Sequence, residues 1–469
     1  MSTTWPVNHR TKPILGRIRL IFMIFVLFSV LMAGCTHGPQ PGSVADLSQL
    51  PQDPAQYVLS QDRSALSTAS ARLNAIGREY RTRFFGPWKD EYTPYSKDKL
   101  YWGVDEFKDK DLYAAKGLPY RQDWFAALRS NADPEGFPSR TRAGITVRST
   151  NVRVLPSQEP VFFDPDQAGQ GYPFDMMQNS ILWTGTPVRV VHRSRDKAWL
   201  LVQTAWVSGW VRAQDVAWVS SKQQERIKQS PLLAVSKDKL SLEDLRGTFH
   251  SRAHIGTLLA VQKQTRSGFQ VMLPVRGADG HLQIRSGFVS RRDARLFPIR
   301  PGPEEVASLA GEMMDQVYGW GGLYSRRDCS ASIRDLFTPF GLWLPRNSSQ
   351  QAESGQVIDL SGLSAADKEE FIMQRGQPFF TLLWKPGHIM LYIGRYQERP
   401  VIWHTMWGVK TQTLLAGEGR HVVGRTVITS LRPGDELHSL ARPEGLLING
   451  IERMIFVKKA IEQPFSSRR

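Results

Sequence analysis

Apolar residues change their spacing several times along this chain, and each change marks a new kind of element. Between residues 62 and 80, Leu66, Ala69, Leu73, Ile76 and Tyr80 recur at helical spacing, with Asp62 or Ser64 placed to cap the first turn. Beyond residues 84–88 the pattern breaks into short aromatic pieces, including Tyr101-Trp102 and Trp124-Phe125. Residues 61–142 therefore read as a small, mostly helical domain. From Ile145 the period becomes two: Val147, Val152 and Val154 come first, then apolar runs at 187–192, 199–202 and 207–211. Short strands separated by turn residues predict a small antiparallel barrel over 143–222. A second set of runs at 256–261, 268–275 and 287–289 predicts another barrel over 232–299. Pro301-Gly302-Pro303 marks a boundary. Glu304 and Glu305 open a helix there, as acids favour an N-terminus, and Val306, Leu309, Ala310, Met313, Met314 and Val317 form its core stripe. A glycine-rich loop at 318–322 follows, and then a helical pattern through Ile333, Leu336, Phe337 and Phe340. Strands are predicted at 379–384, 388–394, from 401 and at 425–430. Helices first and an antiparallel sheet afterwards give an α+β domain over 303–432, with a basic tail at 433–469.

The first 35 residues follow a different logic. Arg10, Lys12, Arg17 and Arg19 precede an apolar run at 20–32, which ends in Met32-Ala33-Gly34-Cys35. A basic start, an apolar middle and small residues before a processing point predict an export signal. The ending resembles a bacterial lipoprotein box, which implies lipidation of Cys35 and a mature chain that begins there. Thr36 stands where an Asp would signal retention at the inner membrane, so an outer-membrane anchor in the cell envelope is expected. Residues 36–60 are rich in Gly, Pro, Gln and Ser and read as a flexible tether. The formal charge is +16, and residues 1–34 hold four basic and no acidic side chains, so most of the excess lies on the exported body. Such a surface suits an anionic membrane, a cell-wall polymer or nucleic acid, and no nucleic-acid motif appears.

The chain has two cysteines. With Cys35 committed to export, Cys329 is a lone thiol in an oxidising compartment, which points to reactivity. It sits where the glycine-rich loop gives way to a helix, and a helix N-terminus stabilises the nucleophilic thiolate. A thiol nucleophile needs a base. His388 begins one predicted strand and His404 lies on the next. A hairpin with its tip at Tyr396 places 388 opposite 404, and directly opposed residues share a face. Zinc is disfavoured, since no further Cys or His stands at ligand spacing nearby.

Several segments together resemble the NlpC-type family of papain-like cell-wall cysteine peptidases: Tyr318-Gly319-Trp320-Gly321-Gly322, Asp328-Cys329-Ser330, Leu344-Pro345-Arg346-Asn347-Ser348, residues 387–394 and His404. The likeness covers about 303–432. It implies Cys329 as nucleophile, His388 as general base and acid, and His404 as the residue that orients it, with no metal and no cofactor. Ala331 and Met390 depart from the family pattern, and Met390 is expected to narrow the cleft. The resemblance implies cleavage of peptidoglycan stem peptides between D-γ-glutamate and a diamino acid, by a monomeric envelope lipoprotein. Its SH3-like barrels and helical N-terminal domain resemble one branch of the family. In that branch the counterparts of Tyr318, Asp328 and Ser330 hold the free L-Ala amine of the stem. The 156–180 loop is expected to wall off the end of the cleft. Asp328 also reads as a helix cap. A non-catalytic peptidoglycan-binding scaffold and an acyltransferase are the competing readings.

Overall fold

The structure, a computed structural model, describes residues 40–58, 70–89, 95–413 and 417–457. Cys35, the candidate caps Asp62 and Ser64, Leu66 and Ala69 lie outside these. No helix among the described residues is long and apolar enough to cross a membrane.

The N-terminal region is helical as expected. Ser70–Phe84 buries Ile76, Tyr80 and Phe84, and Gln122–Ala132 is its other long helix. The period-two runs form two SH3-like units. The first is a seven-stranded antiparallel sheet ordered Gln178–Leu182, Thr150–Arg153, Ser208–Arg212, Trp199–Gln203, Pro187–Arg193, Arg142–Thr146, Val216–Trp218. Alternate positions close its core, among them Val152, Val188, Val190, Leu200 and Val202. A helix at Ser221–Gln229, opened by a Ser220/Gln223 capping box, leads to the second unit. That unit holds a five-stranded sheet and a separate two-stranded ribbon.

The C-terminal domain is α+β. Helix α1 is Pro303–Glu312 and helix α2 is Cys329–Phe337. Strand β1 (Gln356–Asp359) and helix α3 (Ala365–Arg375) follow. Then come β2 (Thr381–Lys385), β3 (His388–Tyr396), β4 (Arg399–Thr413), β5 (Gly417–Ser430) and β6 (Arg453–Phe456). The spatial order is Gln40–Pro41, β5, β4, β3, β2, β6, β1. Helix α2 packs Ile333, Leu336 and Phe337 into the cluster that holds Leu382, Ile389, Leu391 and Trp403. The alternate strand positions, Leu383, Met390, Tyr392 and Ile402, join Ile372 of α3 in a second core.

Three expectations are corrected. Residues 40–58 are not a loose tether. Gln40 and Pro41 pair in parallel with His421 and Val422 of β5. Gln52 bonds both the N–H and the C=O of Ile428, and Asp46 accepts from the N–H and the hydroxyl of Ser430. Val44 and Tyr57 are buried. The segment is a strap along the edge of the sheet, because β5 offers unpaired backbone groups there. The stretch from 433 is not a tail either: β6 lies inside the sheet between β2 and β1, and Leu440, Leu446, Ile448 and Ile451 are buried. Residues 458–469 lie outside the described part. Finally, the β3–β4 hairpin turns at Gln397 and Glu398, both with positive φ (47° and 59°), so Tyr396 faces Arg399. A bulge between Tyr392 and Gly394 then shifts the pairing to Leu391 with Trp403. One step further along, His404 stands across from Met390, and His388 is its diagonal neighbour on the same face.

Candidate active site

The glycine-rich loop is glycine-rich because a strand of the first barrel lies against it. Gly321 (φ 58°) and Gly322 (φ 90°) occupy left-handed backbone. A Cβ on Gly321 would meet the carbonyl oxygen of Gln178 at 2.3 Å, and one on Gly322 would meet Ile181 at 2.5 Å. Gln178 also donates from Nε2 to the Gly321 carbonyl at 3.0 Å. Barrel and nucleophile loop are thus one packed unit. The 156–180 loop completes the contact: Phe174 meets Trp320 edge-on, and Tyr172, Phe174 and Tyr318 all pack around Trp407 of β4. These rings form an aromatic wall beside the nucleophile loop.

Asp328 caps α2, accepting from the Ala331 N–H at 2.8 Å. It also accepts from the Gly321 N–H at 3.1 Å, from Ser330 Oγ at 3.1 Å, and from Arg346 at 2.6 and 3.2 Å. Arg346 also donates to Ser180 Oγ of the first barrel (2.8 Å) and to Ser330 Oγ (2.9 Å). Burial opposes the charged form of Asp328, yet the Arg346 guanidinium and these hydrogen bonds outweigh it and hold the carboxyl below its usual range. The Asp328 carboxylate is therefore engaged on every side. It organises the loop, the helix and Ser330, and it presents no bare charge. Tyr318 is buried next to this group, and burial together with Asp328 and Cys329 raises its hydroxyl well above 10.

Cys329 is the first residue of α2 and is buried. Burial, reinforced by Asp328, pushes its thiol up to about 12, while the amides of Ile389 and Ser330 and the Arg346 charge pull the other way. The expected thiolate at a helix start is thus overridden: desolvation and an adjacent carboxylate exceed the helix field. The thiol lies by the Ile389 amide, one residue from His388 along β3. No hydrogen bond joins Sγ to either imidazole: His388 Nε2 and His404 Nδ1 bond each other, and His404 Nε2 bonds Thr429.

The two histidines meet. Nε2 of His388 lies 2.8 Å from Nδ1 of His404. Nε2 of His404 lies 3.1 Å from Thr429 Oγ1 on β5, and that hydroxyl reaches the Ser430 carbonyl at 2.8 Å. Burial, with Lys385 nearby, lowers His388 to about 3, and burial with His388 nearby lowers His404 well below 6.5. The resting site therefore pairs a neutral thiol with two neutral imidazoles, so a thiolate would form only by transfer of the thiol proton to a base. Lys385 faces His388 across the β2–β3 turn, and its ammonium reaches only the Pro386 carbonyl at 3.4 Å; among the described residues it has no ion-pair partner. Met390 shares the face of the two histidines but is fully buried in the core that also holds Met454, so it exposes no surface that would narrow a cleft.

Sequence reasoning named Cys329, His388, His404, Tyr318, Asp328 and Ser330, and all six lie on the nucleophile loop, α2, β3 and β4. It assigned no role to Arg346, Thr429, Ser180 or Lys385. Arg346 carried a signal, being a cation directly after the apolar run Leu342-Trp343-Leu344-Pro345, whereas the other three depend on long-range pairing.

Comparison with known proteins follows the same division of the chain. Residues 315–414 match the NlpC/P60 family, and residues 23–137 match the N-terminal NLPC_P60 stabilising domain. Residues 160–212 match an SH3 domain of the SH3b1 type, and residues 220–266 one of the SH3b2 type. A gamma-D-glutamyl-L-lysine dipeptidyl-peptidase of Bacillus subtilis (strain 168) is 24% identical over 140 residues, which span 28% of this chain and 45% of that protein. The chain thus aligns with less than half the length of this curated relative. An NlpC/P60 endopeptidase from Photobacterium damselae subsp. piscicida superposes with a TM-score of 0.79 at 24% identity, over 90% of this chain and 99% of the other. An NlpC/P60 family protein from Bacillus cereus ATCC 10987 aligns with a TM-score of 0.44 at 13% identity, over 67% and 98%.

Proposed function

The C-terminal domain of this chain is an NlpC/P60 cysteine peptidase domain behind two SH3 domains, and from that premise we propose that the protein hydrolyses peptidoglycan stem peptides at the D-γ-glutamyl–diamino-acid bond. One observation carries the reading: a lone buried thiol opens α2 beside the strand whose first residue, His388, is hydrogen-bonded to His404. In this mechanism Cys329 Sγ attacks the amide carbonyl and passes its proton to His388. The imidazolium gives that proton to the departing amine, which leaves a thioester. His388 then takes a proton from water, which attacks the thioester and frees the enzyme. The Cys329 N–H at the start of α2 is the natural donor to the oxyanion. Lys385 supports an acidic substrate: a half-buried ammonium next to the base, in no direct ion pair among the described residues although Glu452 acts on it from further off, suits the free α-carboxylate of a γ-linked glutamate.

We further propose a preference for stems already released from glycan. The aromatic wall of Tyr172, Phe174, Trp320 and Trp407 supports a cleft closed at one end by the first barrel. Because Arg346 already balances Asp328, such a preference would rest on steric closure more than on a free carboxylate reading the amine. A lipid on Cys35 and placement at the outer membrane belong to the same proposal, supported by the sequence of residues 20–35. The test is incubation with free tripeptide and tetrapeptide, N-acetylated peptide and intact sacculi, followed by mass spectrometry of the products. Cleavage at the γ-glutamyl bond, fastest on free peptides and slowest on sacculi, is expected. Cleavage elsewhere would overturn the bond assignment, and equal rates on all substrates would overturn the closed cleft.

A further inference from the structure

The hydrogen bonds behind the histidines run in one direction only, and we infer that Thr429 is a positioning residue that sets the tautomer of both imidazoles. This role rests on the catalytic reading above, and the relay starts at a hydroxyl with one hydrogen. Thr429 is fully buried on β5. Its Oγ1 lies 2.8 Å from the Ser430 carbonyl, which can only accept. Its hydrogen points there, so towards His404 it offers a lone pair. His404 Nε2, 3.1 Å away, must then carry hydrogen and donate. A neutral imidazole has one N–H, so His404 Nδ1 is bare and accepts. The partner of that nitrogen is His388 Nε2, 2.8 Å away, which must donate in turn. The one position left without a proton is His388 Nδ1. A bare ring nitrogen is what a base needs, and among the described residues His388 Nδ1 makes no other hydrogen bond.

The reverse polarity fails at both ends. It would leave the Ser430 carbonyl without this donor, and it would put the His388 proton on Nδ1, where it blocks uptake of a proton from the nucleophile. His404 alone cannot choose between the two directions, because an imidazole relays whichever tautomer its far side imposes. The choice is made at Thr429. Its acceptor is fixed from outside the relay, since Asp46 of the strap accepts from both the N–H (2.7 Å) and the hydroxyl (2.8 Å) of Ser430.

The experiment combines two readouts on the described protein with its leader removed at residue 35. Long-range proton–nitrogen spectra of histidine-labelled protein, assigned through His388→Gln and His404→Gln, read the tautomers directly. Both imidazoles are expected to carry hydrogen on Nε2 in the wild type. Thr429→Val, which keeps the shape and removes the hydroxyl, is expected to mix the tautomers. On free stem peptide it should lower kcat roughly 10- to 100-fold with KM within about twofold, as removal of an orienting partner does. Thr429→Ser, which restores the hydroxyl, is expected to recover both signals. A wild-type His388 protonated on Nδ1 would overturn the relay whether or not any variant folds, and so would Thr429→Val with unchanged tautomers and unchanged kcat. Absence of turnover in the wild type would count against the proposed peptidase activity alone, while the spectra would still decide the relay.

Discussion

Replacing Arg346 by Met tests how the nucleophile loop is held. The ion pair with Asp328 is buried on both sides, with side-chain exposures of 5% and 9%. Arg346→Met removes the guanidinium while retaining most of the apolar stem, and it leaves a buried carboxylate without its counter-charge. Breaking a buried pair from one side costs about 3–5 kcal/mol. At about 2–4 °C per kcal/mol for a unit of this size, thermal unfolding should fall by roughly 6–20 °C at neutral pH. Asp328→Asn on the same background removes the stranded charge, and an Asn can still accept from the Ala331 N–H as a cap. The double variant should therefore be more stable than Arg346→Met, and the cycle of wild type, both singles and the double should show a coupling of about 0.5–3 kcal/mol. The pH dependence has a fixed sign. The folded carboxyl of Asp328 is depressed, so its contribution is present above the unfolded value of about 3.9 and is lost as pH falls through the folded value. The gap between wild type and Arg346→Met should narrow below about pH 4. Melts at neutral pH and near that limit supply the measurement. A single variant within about 1 kcal/mol of wild type, or a double variant less stable than the single, would refute the reasoning.

Other expectations follow from the same geometry. Cys329→Ala should abolish hydrolysis and leave the melting curve in place; retained turnover would sink the thiol mechanism. His404→Ala should slow kcat less than His388→Ala, because water can partly replace an orienting group but not the proton carrier, and the opposite order would exchange their roles. His388 is lowered to about 3, so the acid limb of kcat/KM should lie well below the free-imidazole value of about 6.5. The stability that this buried neutral ring contributes is present above about 6.5 and lost as pH falls towards its folded value. An acid limb centred near 6.5 would show that the base is solvated in the working enzyme.

How much of this was legible in the chain depended on how local the signal was. The barrels followed from strand-length apolar alternation such as Val188 and Val190, and the candidate nucleophile was singled out as one thiol after a glycine-rich loop. Strand β6 was missed because Met454-Ile455-Phe456-Val457 is a single short apolar run without alternation or directly flanking turn residues, and only its pairing with β2 and β1 makes it a strand. The strap was missed for a related reason: residues 40–58 have no period, and backbone pairing with β5 supplies the order that composition does not. The hairpin register went wrong at a bulge and at a two-residue turn of Gln397 and Glu398, which lacks the glycine or asparagine that usually advertises positive φ. Arg346 was visible as a motif residue, but its partners lie on a barrel strand 166 positions away and on Asp328, and no local pattern joins them.

The strap also sets a length. Among the described residues its strand pairing starts at Gln40, and residues 36–39 stand between Cys35 and that point in the sequence. Five steps of extended chain span at most about 18 Å. With the proposed lipid on Cys35, Gln40 and the stretch of β5 that it pairs with would be held within about that distance of the bilayer surface. The enzyme would then be short-leashed: unable to sweep outward through the wall, it would process peptides that diffuse to the membrane. Lengthening the leash with inserted Gly-Ser units between residues 36 and 39 would change its working radius without touching the site.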